Sequence, residues 1–155
     1  MGRDDVTHGI RLATATDVGA ILELEHSSPA AAHWKQADYE RAITQPERLV
    51  LVAERQSKLV GFLVASTATA EWELENIAVS AMAKRQGIGR TLLLALIDSA
   101  RKAKATEIRQ EIRASNTAAQ KLGLSLGFLD EGRRPNYYQN PTEDTLLFKY
   151  LPSKG

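Results

Sequence analysis

The 155-residue chain contains no cysteine and has almost no net charge, and each of these two features excludes a class of function. Without cysteine there is no disulfide, no thiolate nucleophile and no cysteine-ligated metal, which suits a reducing compartment. Twenty basic and nineteen acidic side chains leave a net charge of +1, so no overall field favours nucleic acid or an anionic membrane. Any anion must therefore be bound by a local feature.

Long apolar runs are also missing. The segment MGRDDVTHG has no apolar core of a signal peptide, and no stretch approaches the roughly 20 apolar residues of a membrane span. We therefore expect a cytoplasmic protein with neither a membrane nor a nucleic-acid partner. No repeat or linker divides the chain, so we expect one domain over residues 1–155, with residues 1–8 as a flexible N-terminus. The three histidines lack metal-ligand spacing, which predicts no metal site.

Alternating periodicities predict a mixed α/β fold. A short first strand at GIRLAT is followed by two amphipathic helical segments, and the polar stretch RQSK separates two apolar strands as in a β-hairpin. The strand WELENIAV then leads into a long helix that begins at Ile88. A strand, a helix ending at Gly127 and two final strands complete the pattern. These residues predict helices packed against a hairpin-rich sheet.

The stretch KRQGIGR, residues 84–90, stands between WELENIAV and the long helix. A helix N-terminus presents unpaired N–H groups, and glycines lack the Cβ atoms that would keep an anion away. This turn is therefore suited to bind phosphate or pyrophosphate. A plain strand-to-helix connection with solvated cations explains a lone G-x-G equally well. A dinucleotide fingerprint would need a third glycine in place of Leu92, and the Gly-Lys-Ser/Thr of a P-loop is absent.

Three segments, in order, resemble the GNAT acetyltransferases: NIAVSAMAKRQGIGRTLLLALIDSA, EIRASNTAAQKLGLSLGF and RRPNYYQNPTEDTLLF. Within that superfamily they are most similar to the ribosomal-protein-alanine N-acetyltransferases. The likeness covers about residues 70–150, whereas residues 8–69 match only in element order. It implies the GNAT fold, which is α/β with α+β character: a mixed, mostly antiparallel central sheet of six or seven strands flanked by about four helices.

The resemblance further implies acetyl-CoA as the acetyl donor, with no metal. It assigns the pyrophosphate to the glycine turn, the pantetheine arm to the backbone of the preceding strand, and one asparagine to the cofactor. The implied cofactor-binding residues are Ile77, Ala78, Val79, Arg85, Gln86, Gly87, Ile88, Gly89, Arg90 and Asn116. Asn116 also suits a plain helix N-cap, and the two roles are compatible.

The implied reaction is direct attack of a protein N-terminal α-amine, that of a ribosomal protein among the candidates, on the thioester. The pKa of such an amine is about 7.7–8.0, so a modest base suffices. The resemblance assigns Glu111 as this base, with Glu73 and Glu75 in reserve. The residues alone favour a different reading, in which Glu111 is a solvent-facing partner of Arg109 or Arg113.

Related enzymes carry a tyrosine as general acid, and its place here is taken by Gly123. Glycine within a helix costs about 1 kcal/mol relative to alanine, so we expect other groups, Tyr137, Tyr138 or a water, to fill the room beside it. Tyr138 is the expected acid. The implied substrate-contacting residues are Tyr137, Trp34 and Glu75, although one buried and one exposed tyrosine of an edge strand is an equal interpretation.

Two other functions stay open at this point: acetylation of a small amine or of lysine, and a catalytically weak acyl-CoA-binding module, for which Gly123 argues. We expect a monomer or a weak dimer.

Overall fold

A computed structural model describes residues 9–29, 31–83 and 86–153, so the expected flexible segment 1–8 lies outside the described residues. Seven strands form one sheet in the order β1-β2-β3-β4-β5-β7-β6. The strands are β1 (Ile10–Leu12), β2 (Arg48–Arg55), β3 (Lys58–Ser66), β4 (Glu71–Val79), β5 (Glu107–Arg113), β6 (Leu129–Tyr138) and β7 (Glu143–Tyr150). All neighbours pair antiparallel except β4 and β5, which confirms the predicted mixed, mostly antiparallel sheet.

The described ranges contain four α-helices, as expected: α1 (Val18–Ser27), α2 (Gln36–Thr44), α3 (Ile88–Lys102) and α4 (Thr117–Leu126). Short 3-10 helices occupy Ala15–Asp17 and Ala81–Ala83. Gly127 ends α4 in the left-handed conformation, with φ of 104°, as the sequence predicts. Within the described ranges, each helix is too short or too polar to cross a bilayer.

The helices form a layer on each face of the sheet. Helix α3 packs its apolar stripe, including the fully buried Leu92 and Leu96, against β3, β4 and β5, and α4 adjoins this layer through Leu122. Helices α1 and α2 cover the opposite face of β2 and β3, where Ile21 and Tyr39 are fully buried. Burying one such side chain contributes about 1.5–3 kcal/mol, so these stripes fix the helices on the sheet.

The parallel pairing of β4 with β5 is short. It joins residues 71–74 of β4 to residues 107–110 of β5 and stops at Leu74 and Gln110. On its other side β4 carries a β-bulge: Ala65 pairs with Leu74 and Val64 with Asn76, so Glu75 is the extra residue. A bulge bends and twists its strand, and here β4 diverges from β5 at the bulge. No described strand pairs with residues 75–79 on the side that faces β5.

The bulge also reverses which side chains face which layer. Trp72 and Leu74 lie in the α3 layer, whereas Asn76 and Ala78, after the bulge, are buried towards α1 and α2. Asn76 Oδ1 accepts the Ala32 N–H at 3.0 Å, and its Nδ2 donates to the Tyr39 hydroxyl at 2.7 Å. The Asn76 amide thus holds the loop that follows α1 against β4.

A buried carboxylate completes this attachment. Glu25 is fully buried, and its Oε1 accepts the Tyr39 hydroxyl at 2.8 Å and the Trp34 N–H at 2.5 Å. Burial and this carboxylate raise the pKa of Tyr39, so its phenol stays protonated and donates. Residues 31–34 are therefore fixed beside the diverging end of β4.

Candidate active site

A cleft of about 490 Å³ opens where β4 and β5 diverge. Its walls are the post-bulge half of β4, the loop at residues 31–34, the second half of β5, the start of α4 and the end of β6. Seven predicted site residues line it: Trp34, Glu75, Ile77, Glu111, Asn116, Tyr137 and Tyr138. The other predicted site residues that the structure describes run from the end of β4 into the first turn of α3. They are Ala78, Val79, Gln86, Gly87, Ile88, Gly89 and Arg90.

The glycine turn forms the N-terminus of α3. Gly87 is the N-cap, with φ of 74°, and no described side chain caps this end. Within the part of the chain that the structure describes, the first-turn amides of α3 therefore have no intrahelical or side-chain partners. Ile88 is buried, so it offers an anion only its backbone N–H, while Arg90 reaches Ser125 Oγ at 3.3 Å. The predicted Arg85, like Lys84, lies outside the described residues.

The two glycines of this turn differ in what they allow. A Cβ on Gly87 would meet nothing within 4 Å, so its positive φ, rather than space, calls for glycine. A Cβ on Gly89 would make ordinary contacts, 3.4 Å from Leu122 and 3.8 Å from Val79, and so would point into the protein. The unpaired β4 edge and the uncapped helix end are adjacent. Together they fit an extended ligand whose amide-bearing arm is followed by a pyrophosphate.

Glu111 follows the last residue of β5 that pairs with β4, and it lines the cleft. Its described ion-pair partner is Arg134, at 3.4 Å. Arg109 and Arg113 pair instead with Glu107 and Glu143, so the solvent-facing interpretation named the wrong arginines.

The reserve carboxylates differ from Glu111 in their surroundings. Glu75, the bulge residue, receives two hydrogen bonds from the Arg48 guanidinium, at 2.5 and 3.1 Å, and these raise the pKa of Arg48. The Glu75 carboxylate is therefore engaged by a guanidinium through two charge-assisted hydrogen bonds. Glu73 lies on the cleft wall at an exposed position. Of the three carboxylates, Glu111 is the one on β5, and it is hydrogen-bonded to Tyr137 of β6.

The tyrosine pair is placed asymmetrically. Tyr137 is exposed, and hydrogen bonding to Glu111 raises the pKa of its phenol. Tyr138 is half-buried, with the Arg113 guanidinium 3.9 Å from its ring centroid and its hydroxyl 3.2 Å from Thr145 Oγ1. Of the interpretation as one buried and one exposed tyrosine, the exposed residue is confirmed, whereas Tyr138 is only half-buried. The phenol beside the Glu111 carboxylate is that of Tyr137.

Asn116 caps α4, because its Oδ1 accepts the Ala119 N–H at 3.1 Å. The N-cap role is confirmed, and the position of Asn116 on the cleft wall keeps the cofactor role compatible with it. Trp34 is half-buried beside Tyr39, with ring centroids 5.3 Å apart, and its remaining surface borders the cleft.

The atoms nearest to a Cβ built on Gly123 belong neither to Tyr137 nor to Tyr138. Gln110 Nε2 and Phe148 Cδ2 both lie 3.2 Å from it. Gln110, Asn76, Arg113 and His33 also line the cleft and were not predicted. Two of them had a visible signal, since Gln110 and Asn76 interrupt the apolar alternation of their strands. Among described residues no group of three or more metal-ligand side chains occurs.

Comparison with known proteins relates this architecture to one family. The model of the acetyltransferase (GNAT) family matches residues 16–128. The chain is 38% identical over 130 residues to the [ribosomal protein bS18]-alanine N-acetyltransferase of Escherichia coli K12, covering 83% of this chain and 84% of that protein. It is 34% identical over 110 residues to the N-alpha-acetyltransferase RimI of Mycobacterium tuberculosis, covering 68% of each. The crystal structure of the E. coli ribosomal-protein-S18-alanine N-acetyltransferase superimposes with a TM-score of 0.82 at 31% identity, over 92% of each chain.

The contact between Glu111 and Tyr137 makes a prediction about titration. Removing the negative charge of Glu111 stabilises the Tyr137 phenolate, so Glu111→Gln should lower the pKa of Tyr137 towards its usual value near 10. Tyrosine ring carbon shifts, followed by NMR between about pH 8 and 12, measure this pKa directly. Glu73→Gln is the matched control and should leave it unchanged. An unchanged Tyr137 titration in Glu111→Gln would mean that the two groups do not interact.

Proposed function

The chain belongs to the GNAT acetyltransferase family, and from this premise we propose that it acetylates the N-terminal α-amine of a protein, with a ribosomal protein as the substrate. The observation that carries the proposal is the position of Glu111: a carboxylate on the cleft wall, opposite the unpaired edge of β4. The names of the bacterial relatives support the substrate class, since they acetylate an N-terminal alanine or an α-amine.

The acetyl donor of the family is acetyl-CoA, which supplies an activated acetyl thioester. We assign its pantetheine arm to the backbone of Ile77, Ala78 and Val79, where the β4 edge is unpaired. Its pyrophosphate is assigned to the first-turn amides of α3, and the residues are Arg85, Gln86, Gly87, Ile88, Gly89 and Arg90. Asn116 borders the same cleft from the start of α4 and is assigned to the cofactor as well.

Glu111 accepts the proton that the substrate ammonium must lose before the amine can attack. The amine has a pKa near 8, so at neutral pH a carboxylate within hydrogen-bonding reach suffices as the base. Tyr138 is the proposed proton donor to the departing sulfur. Its hydroxyl is held by Thr145 and its ring by Arg113, which limits its freedom to turn. A thiol has a pKa of about 8.5, so this protonation contributes only about 2 kcal/mol at pH 7.

Tyr137, Trp34 and Glu75 are assigned to the peptide. Tyr137 and Trp34 approach the cleft from opposite sides, one from β6 and one from the loop after α1. Glu75 stands on β4 with its carboxylate fixed by Arg48, so it contributes an oriented negative charge beside the incoming ammonium.

A peptide panel with a base variant tests the proposal. A peptide with a free N-terminal alanine should be acetylated faster than an N-terminally blocked lysine peptide or spermidine. Glu111→Gln should lower kcat about 10²-fold, and activity should partly return as pH rises through the amine pKa, because the amine then deprotonates unaided. Glu73→Gln should stay within a few-fold of the parent.

The alternatives predict other results in the same assay. Faster turnover of the lysine peptide or of spermidine would assign a different substrate class. Tight binding of acetyl-CoA without turnover of any amine would instead identify a binding module.

A matched glycine pair tests the pyrophosphate assignment. Gly87→Ala must hold a positive φ that costs an L-residue about 1–2 kcal/mol, so the turn should shift and acetyl-CoA affinity should fall about tenfold. Gly89→Ala directs its methyl group at Leu122 and Val79 and should stay within about threefold. Calorimetric titration measures both affinities. Equal affinities in the two variants would contradict the assignment.

A further inference from the structure

Gln110 carries a buried polar group that has no partner in the described structure. The residue is 7% exposed, and its Nε2 makes no hydrogen bond. Leaving a buried donor unpaired costs about 1–3 kcal/mol, so such an atom needs an explanation. Glu25 Oε2 is the other such side-chain atom among the described residues, but His33 Nδ1 lies 3.5 Å from it.

The position of Gln110 in the fold supplies the explanation. It is the last residue of β5 that pairs with β4, so it stands at the apex of the divergence, and it borders the cleft. On the α4 side its neighbours are the Phe148 ring and the bare backbone of Gly123. Neither accepts a hydrogen bond from the amide in this structure, and the room for that amide exists because residue 123 has no side chain.

We propose that the Gln110 side-chain amide donates a hydrogen bond to the carbonyl oxygen of the acyl thioester bound at the apex of the divergence. This inference rests on the proposed function, since it places the acetyl group where β4 and β5 separate. The carbonyl oxygen gains negative charge as the amine adds to the carbon. Removing one such donor typically lowers turnover about 10²–10³-fold. Gln110 keeps its proton throughout, so its role is distinct from that of the base or the proton donor.

Free CoA provides the discriminating probe because it has the sulfur but lacks the carbonyl oxygen. Gln110→Leu keeps the size of the side chain and removes the amide. It should weaken acetyl-CoA about 5–10-fold, the equivalent of one hydrogen bond, and leave CoA affinity unchanged. It should also lower kcat with little change in the peptide KM. Its thermal stability should equal or exceed that of the parent, because an unpaired buried donor is gone.

Two further variants separate this role from a structural one. Gln120→Leu is the matched control: Gln120 Nε2 already donates to the carbonyls of Arg113 and Ala114, at 3.2 and 2.9 Å. It should lower stability without changing the ratio of acetyl-CoA to CoA affinity. Gly123→Ala adds a methyl group 3.2 Å from Gln110 Nε2, so the amide must shift by a few tenths of an ångström or the Phe148 ring must yield. It should therefore weaken acetyl-CoA selectively, but less than Gln110→Leu does.

The outcome for this inference is independent of the outcome for the substrate. If Gln110→Leu weakens CoA and acetyl-CoA equally, or neither, the inference is overturned, even when the parent acetylates N-terminal peptides. If the selective loss is seen while the parent prefers another amine, the inference holds and the proposed substrate class fails. Should Gln110→Leu not fold, Gly123→Ala gives the same test of the affinity ratio.

Discussion

The hydrogen bonding between β4 and β5 ends at Leu74 and Gln110. The proposed site residues that the structure describes line the cleft at this break or continue from β4 into the first turn of α3. The bulge at Glu75 bends β4 away, and the paired Arg48 holds that bulge in place. An open strand edge normally invites association with another strand. Here it lies inside a cleft and leads to an uncapped helix N-terminus, so it suits a ligand with peptide-like amides and a phosphate end.

The carboxylates in and near the cleft differ in their surroundings rather than in residue type. Glu75 accepts two hydrogen bonds from the Arg48 guanidinium. Glu25 is fully buried and accepts a hydrogen bond from Tyr39. Glu111 forms a 3.4 Å ion pair with Arg134 and a hydrogen bond with the Tyr137 phenol. Glu111 is therefore the carboxylate that we propose as the base. The same sheet break thus brings the unpaired edge of β4 and Glu111 of β5 to one cleft.

The local features of this fold were predictable, because periodicity and glycine chemistry act within a few residues. The helix from Ile88, the end of α4 at Gly127 and the N-cap role of Asn116 all follow from neighbouring residues. Long-range pairing was not predictable. Arg113 finds its partner Glu143 across two paired strands, and Gln110 fills the room beside Gly123 from a different element. The bulge at Glu75 depends on the register with β3, which no pattern within β4 reveals.

Amide hydrogen exchange with and without saturating acetyl-CoA tests the central claim most directly, because it locates the ligand by residue and does not depend on turnover. Binding along the break should slow exchange at residues 77–79 of β4 and at the first-turn amides of α3, at Ile88 and Gly89. Amides of β1 and β2, on the far side of the sheet, should keep their rates. Protection confined to other surfaces, with residues 77–79 unchanged, would contradict the account.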